Sequence, residues 1–227
     1  RATVRRLPCP VTEPPFDDPT ARAAAAHAID RELINDTLMD GMTQSANGPF
    51  PPGSIGYVED TGFDGYDPET AQQLVEEYEA EHGQPLEFQI SATPQPALIE
   101  LVDMTSDMFE QVCMSVSTTQ VDQTELINTA VSGNYNMMTF RNYPGLDPDN
   151  LYVWWHSEGT DGGPNLVNFM GFEDERVDEL LDAGRETADE EERAEIYQDL
   201  TRHFAEEHYM LWASWTNWAI PSDGDIY

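Results

Sequence analysis

The histidines are the residues of this sequence best suited to metal binding or proton transfer, and there are five of them. Only His203 and His208 lie close together, five positions apart. A helix brings side chains to one face at spacings of three or four, so this pair is poorly placed to share a metal ion. The H-E-x-x-H arrangement of zinc proteases does not occur. The histidines therefore predict no metal-dependent enzyme.

Other patterns that support catalysis or cation binding are incomplete. Asp147, Asp149 and Asn150 offer oxygen ligands, but Pro148 and the missing turn glycine break the calcium-loop pattern. There is no G-x-S-x-G nucleophile motif, and the glycines of residues 159–163 are not followed by G-K-[ST]. The sequence therefore predicts a protein that binds rather than catalyses and that needs no cofactor.

Two adjacent tryptophans, Trp154 and Trp155, offer rigid aromatic surface that could stack on a sugar, a peptide or a heterocycle. Neighbouring residues on a helix point in different directions. We therefore expect one of the two rings to belong to the core.

The charge balance is extreme. The chain has 44 acidic residues and 10 basic ones, all of them arginine, for a formal net charge of −34. Such a surface repels phosphate backbones and anionic membranes, so nucleic acid is excluded as a partner. The simplest interpretation of this acidity is solubility in a salty medium, where screening weakens self-repulsion. Hydrophobic residues make up 39%, which is enough to fill a core.

Helix starts are the clearest local signals. Asp18 followed by Pro19 predicts a helix over residues 21–39, and Asp67-Pro68 predicts another that ends at His82-Gly83. Between them, residues 44–66 carry clusters of proline and glycine and predict a long ordered loop.

From residue 86 onward, strand and helix patterns alternate. This order predicts an α/β layer with some parallel pairing. The predicted strands lie at 86–90, 113–121 and 135–140, the helices at 96–112, 122–132, 173–187 and 189–207, and a strand-like run at 209–220.

Several segments in this order resemble the solute-binding proteins that serve ABC importers of dipeptides, oligopeptides and nickel. The resemblance covers residues 14–221 and depends on the order of the segments rather than on any one of them. They are Pro15-Phe16-Asp17-Asp18-Pro19, Ala28-Ile29-Asp30-Arg31, Ala46-Asn47-Gly48-Pro49, Tyr66-Asp67-Pro68-Glu69, Gly133-Asn134-Tyr135-Asn136, Asp147-Pro148-Asp149-Asn150-Leu151 and Val177-Asp178-Glu179-Leu180-Leu181, with Arg185, Asp189, Arg193 and Tyr197.

The resemblance implies the C-terminal lobe of a two-lobed, type II periplasmic-binding-protein fold, in which helices flank a mixed sheet. Residues 1–14 are then an irregular N-terminal segment, residues 15–214 the lobe, and residues 215–227 the start of a return crossing.

The resemblance also implies a function. A peptide-like or other small polar solute would be captured by lobe closure and delivered to ABC permease subunits. The protein would be extracytoplasmic, either in a periplasm or lipid-anchored at the cell surface. The alternative is a free-standing acidic interaction or scaffold domain. Cys9 and Cys113 suit either a disulfide or two separate thiols.

In this family the stretch before Asp147 faces the ligand cleft, and peptide-binding members commonly hold an aspartate there. Here that aspartate is missing, and Arg141 supplies a positive charge that favours carboxylate or phosphate. We therefore expect a ligand with an anionic or neutral polar group near Arg141, although a surface ion pair would also explain this arginine. The predicted ligand-binding residues are Arg141, Asn142, Tyr143, Asp147, Trp154, Trp155 and Asn165. For Asp147, capping of a helix at 148–153 is an alternative role.

Overall fold

The computed structural model describes residues 2–63, 65–142, 145, 147–159, 167–171 and 173–217. Tyr143 and Asn165, two of the predicted ligand-binding residues, lie outside these ranges, as does the predicted strand beyond residue 217. The helices are α1 (Pro19–Ala28), α2 (Arg31–Leu38), α3 (Pro68–His82), α4 (Pro96–Gln111), α5 (Gln123–Ser132), α6 (Tyr152–Trp155), α7 (Glu175–Glu186) and α8 (Glu190–Glu207), with short 3-10 helices at Pro148–Leu151 and Ser157–Gly159. The strands are β1 (Ala2–Pro8), β2 (Gln44–Ser45), β3 (Glu87–Ala92), β4 (Ser115–Gln120), β5 (Met137–Met138), β6 (Phe140–Asn142) and β7 (Met210–Asn217).

Aspartate caps define the starts of several helices. The Asp18 carboxylate accepts a hydrogen bond from the Thr20 amide at 2.6 Å, and Asp67 accepts one from Thr70 at 3.1 Å. A proline follows each cap at the first helical position, where a backbone N–H would have no partner within the helix. Both helix starts confirm the predictions.

The single helix predicted over residues 21–39 is two helices. Ile29 is extended, and Asp30 caps α2 by accepting from the Leu33 amide at 2.9 Å. A capping residue inside a helical pattern lets the chain begin a new helix in another direction. The prediction of one continuous helix was therefore wrong.

The strands form two sheets. The four-stranded sheet has the order β2-β7-β1-β6 and is antiparallel, and the three-stranded sheet has the order β4-β3-β5 and is parallel. Helices flank both, so the predicted α/β lobe is confirmed, with its parallel and antiparallel strands in separate sheets.

The prediction of an irregular segment over residues 1–14 was wrong for residues 2–8. These residues form β1, an inner strand that pairs with β6 and β7. Its partners lie more than a hundred residues later in the chain, and local pattern does not report such pairing. Residues 215–217 continue β7 rather than beginning a separate segment.

The strand predicted over residues 135–140 is divided between the sheets. Met137 and Met138 extend the parallel sheet beside β3, and Phe140 to Asn142 join the antiparallel sheet beside β1. Thr139 therefore lies where the chain crosses from one sheet to the other.

Of the three apolar clusters among the described residues, the two larger ones hold these layers together. In one, α1, α3 and α4 pack on the parallel sheet, and Phe88 makes edge-to-face contacts with Phe16 and Phe109. In the other, α6, α7 and α8 pack on the antiparallel sheet around Trp155 and Phe204, whose ring centroids are 4.8 Å apart. Within the described residues, no helix is long and apolar enough to cross a membrane.

Candidate functional site

A cavity of about 320 Å³ lies between the antiparallel sheet and the carboxyl end of the parallel sheet. Thr93 and Gln95 line it directly after β3, and the first turns of α4 and α5 border it. In α/β proteins, ligands bind at the carboxyl ends of parallel strands, where helix amino termini present a partial positive charge. The position of this cavity therefore marks it as the candidate binding site.

The opposite wall of the cavity is cationic. Arg5 and Arg6 of β1 and Arg141 of β6 all line it. They are three of the chain's ten arginines, in a protein with 44 acidic residues. A solute entering this cavity therefore meets positive charge on a molecule that is otherwise strongly negative.

The three arginines are held close together by strand pairing. Arg5 lies directly opposite Arg141, and Arg6 opposite Phe140. Burial, together with the neighbouring Arg141 guanidinium, lowers the pKa of Arg5. Burial also lowers the pKa of Arg6 to about 10, so this side chain stays charged at neutral pH.

The structure brings one predicted ligand-binding residue, Arg141, into the cavity wall. Asn142, the next residue, is 3% exposed and lies opposite Val4, and it is not among the cavity-lining residues. Neither of its side-chain amide atoms has a hydrogen-bond partner within the described parts of the chain.

The remaining predicted residues that the structure describes are not among the cavity-lining residues. Asp147 caps the 3-10 helix at Pro148–Leu151 and accepts two hydrogen bonds from Arg193, at 2.8 and 2.6 Å. Trp155 is buried in the core, as expected for one member of the pair. Trp154 is half-buried and packs against Phe140 and Phe169.

Sequence reasoning missed Arg5 and Arg6. They lie in residues 1–14, which were predicted to be irregular. No strand was predicted there that would direct their side chains towards a site. Their signal was composition, because an Arg-Arg pair is conspicuous in a chain with only ten basic residues.

Metal-binding side chains come together at one place among the described residues. Ligand atoms of Asp18, Glu81 and His82 lie within 4.8 Å of one another. His82 Nε2 donates to Asp18 at 2.7 Å, and Asp18 also caps α1, so this contact has a structural role. Cys9 is buried and Cys113 is exposed, and both are free thiols.

This architecture, a parallel and an antiparallel sheet flanked by helices with a cavity at the strand ends, is that of one lobe of a type II periplasmic binding protein. The periplasmic binding protein DppA from Helicobacter pylori in complex with a peptide superposes with a TM-score of 0.85 at 19% identity, over 94% of this chain and 41% of that one.

Sequence comparison gives the family. Residues 2–163 match the model for bacterial extracellular solute-binding proteins, family 5, and the chain belongs to this family. The di/tripeptide-binding protein 2 of Pseudomonas aeruginosa is 26% identical over 197 residues, which are 85% of this chain and 36% of that protein. Heme-binding protein A of Haemophilus influenzae is 25% identical over 190 residues, 81% of this chain and 34% of that protein. The chain thus spans about a third of the length of these relatives.

Proposed function

We propose that this chain is the lobe of an extracytoplasmic receptor that captures a small polar solute and passes it to the permease of an ABC importer. The observation that carries the proposal is the cavity at the carboxyl ends of the parallel strands, in a chain of this family. Its volume falls at the lower end of the range for small-molecule sites. No described feature favours the alternative of a scaffold domain.

The mechanism is binding without chemistry. The solute is taken up in an open form and buried when the receptor closes around it, and the closed form is the one that the permease accepts. Affinity then comes from the difference in stability between open and closed forms. Peptide-like solutes are the first class to test, because curated relatives include proteins named for di- and tripeptides.

A thermal-shift screen of the full-length encoded protein in high salt tests this proposal. The panel contains short peptides, amino-acid conjugates, oligosaccharides and nickel complexes. A ligand at about 100 times its dissociation constant adds about 2.7 kcal/mol of stability, which is a readily measured rise in melting temperature. One responding class would name the cargo, and a protein that no class stabilises would contradict the proposal.

Arg141 gives the screen a residue-level test. If its guanidinium contacts the solute, Arg141→Ala should weaken binding of the responding solute by about tenfold or more, since hydrogen bonds to charged groups contribute about 1.5–3 kcal/mol. Arg202→Ala is the matched control, because Arg202 is exposed on α8 and pairs with Asp199. Unchanged affinity in Arg141→Ala would rule out this role.

A further inference from the structure

Like charges face each other across the strands that line the cavity. Arg5 and Arg141 are direct cross-strand partners in the β1–β6 pairing. Like charges directly opposite each other in a sheet are destabilising, so this arrangement works against folding.

Two consecutive arginines line the cavity beside an irregularity in the neighbouring strand β7. Successive residues of a regular strand point to opposite faces. Between Arg5 and Arg6 the register with β7 shifts, because Arg5 pairs with Ser214 and Arg6 with Trp212. Ala213 is therefore the extra residue of a β-bulge in β7, which bends this strand and increases the local twist of the sheet. Arg5, Arg6 and Ala213 all line the cavity.

Arg5 and Arg6 differ from four other arginines of the chain in their partners. Within the described residues neither forms an ion pair with a carboxylate, whereas Arg22, Arg185, Arg193 and Arg202 each do. The Nε and Nη1 atoms of Arg5 and the Nε atom of Arg6 are buried without a hydrogen-bond partner. Arg6 is 4% exposed, and its Nη1 contacts the sulfur of Met210, a weak acceptor. A structural arginine so deeply buried is expected to be paired.

A second source of positive potential borders the same cavity. Helix α4 has 16 residues, and Gln95, at its N-cap, makes no side-chain capping hydrogen bond. By contrast, Asp122 caps α5 by accepting from the amides of Thr124 and Glu125. Pro96 has no N–H, and the amides of Leu98 and Ile99 donate to the Gln95 carbonyl at 2.8 and 3.0 Å. The amino end of α4 therefore acts on a nearby anion mainly through its partial positive charge.

We propose that Arg5, Arg6 and the amino end of α4 form an oxyanion subsite, which binds a carboxylate or phosphate group of the solute. The proposal rests on the proposed function and narrows its cargo to acidic solutes. The planar guanidinium groups supply paired donors that match either oxyanion. Because Arg6 is 4% exposed, charge-assisted bonds to its guanidinium are stronger there than at the surface.

The unliganded protein gives a first test. An arginine with a structural role would stabilise the unliganded lobe. An arginine whose charge is paired only by a bound ligand would destabilise the unliganded lobe. Replacing Arg6 with methionine removes the buried charge and keeps an apolar side chain. We therefore expect Arg6→Met to match or exceed the wild-type melting temperature without ligand. A clear fall in the melting temperature would overturn the assignment of Arg6 to the subsite.

Matched pairs of anionic and neutral probes test the subsite directly. The pairs are succinate with succinamide, alanyl-alanine with its C-terminal amide, and glycerol 3-phosphate with glycerol. Inorganic phosphate is a further probe, and all are compared at constant ionic strength. We expect at least one anionic member to raise the melting temperature of the full-length protein, and its neutral partner to do so much less. The carboxylate and phosphate arms then identify which oxyanion the subsite takes.

Variants assign the effect to this cavity. Arg5→Gln and Arg6→Met should each weaken binding of the responding anion by about tenfold or more, while Arg202→Gln should leave it unchanged. Equal binding of neutral and anionic partners would overturn the proposal, as would binding that survives in both cavity variants, or no response to any oxyanion. If neutral solutes bind well, the receptor function stands without the subsite. If no solute of any class binds, the proposed function fails as well.

Discussion

The carboxylate of Asp174 joins helices α7 and α8 and the residue that precedes β7 through one side chain. It accepts hydrogen bonds from His203 Nε2 of α8 and from the Tyr209 hydroxyl, each at 2.7 Å, and it caps α7 through the amides of Arg176 and Val177. Burial raises the pKa of this carboxyl, but the hydrogen bonds outweigh burial and leave the pKa below its ordinary value. The ionised form of Asp174 is thus the stabilising one.

Asp174→Asn should destabilise the protein by about 1–3 kcal/mol near pH 7, because an amide cannot accept all of these hydrogen bonds. The folded pKa is depressed, so the contribution of Asp174 is present above the unfolded pKa of about 3.9 and is lost as the pH falls through the folded value. Chemical denaturation from pH 7 to pH 3 measures the difference in the free energy of unfolding between wild type and variant at each pH.

Asp103→Asn is the control for charge alone, since Asp103 is exposed on α4. It removes the same unit charge and should change the stability little. A difference between Asp174→Asn and wild type that stays constant down to pH 3 would contradict the assigned role.

At the scale of residues, sequence reasoning selected Arg141, which lines the cavity, and did not select Arg5 and Arg6, which line it too. Arg141 was identified through the family resemblance of the segment that contains it. Arg5 and Arg6 become part of the cavity only through pairing with strands that lie far away in the sequence. Neither pairing partner leaves a local signal in residues 1–14.

The packing of α7 on α8 depends on a glycine. A Cβ atom at Gly184 would lie 2.6 Å from Tyr197 Cζ and 2.8 Å from the hydroxyl oxygen of the same ring. Tyr197 is fully buried and packs edge-on against Phe50. The rigid ring therefore has little room to move away.

Gly184→Ala should destabilise the protein by about 1–3 kcal/mol through overpacking. In an exposed helix the same change would stabilise the protein by about 1 kcal/mol. The sign of the measured change therefore distinguishes overpacking against Tyr197 from the ordinary helix preference for alanine. In a Tyr197→Leu background the ring is gone, and Gly184→Ala should cost much less, a coupling that a double-mutant cycle measures. A neutral or stabilising effect in the wild-type background would contradict this account of the interface.

At the scale of elements, local chemistry predicted helix starts well and predicted strands less well. The caps at Asp18 and Asp67 act within three residues, so the sequence alone reports them. The division of residues 135–140 between two sheets depends on what lies beside each half, namely β3 for one and β1 for the other. Such neighbours are a property of the assembled fold.

The whole molecule carries a formal net charge of −34, and this charge opposes compaction through self-repulsion. Raising the ionic strength from about 0.01 M to about 1 M shortens the Debye length from about 30 Å to about 3 Å. Repulsion between distant carboxylates is then screened, while packing in the apolar clusters is retained.

The melting temperature should therefore rise steeply with ionic strength over this range. Thermal unfolding in NaCl and in KCl at matched ionic strengths measures the effect, and similar curves in the two salts would identify screening as the cause. A melting temperature that does not depend on salt, or that rises with one cation alone, would contradict the screening account.

We propose a receptor that holds a solute and does not alter it, on the basis of the fold, the cavity and the family membership. The arginine wall and the strand-end position favour binding of a polar, acidic group, and binding is what family members are named for.

The most direct test is calorimetric titration of the full-length protein in high salt with the solute that responds in the thermal-shift screen, followed by mass spectrometry of the recovered solute. This account predicts saturable binding of one solute per protein and recovery of the solute chemically unchanged. A solute converted to a product, or the absence of saturable binding for every class in the panel, would contradict it.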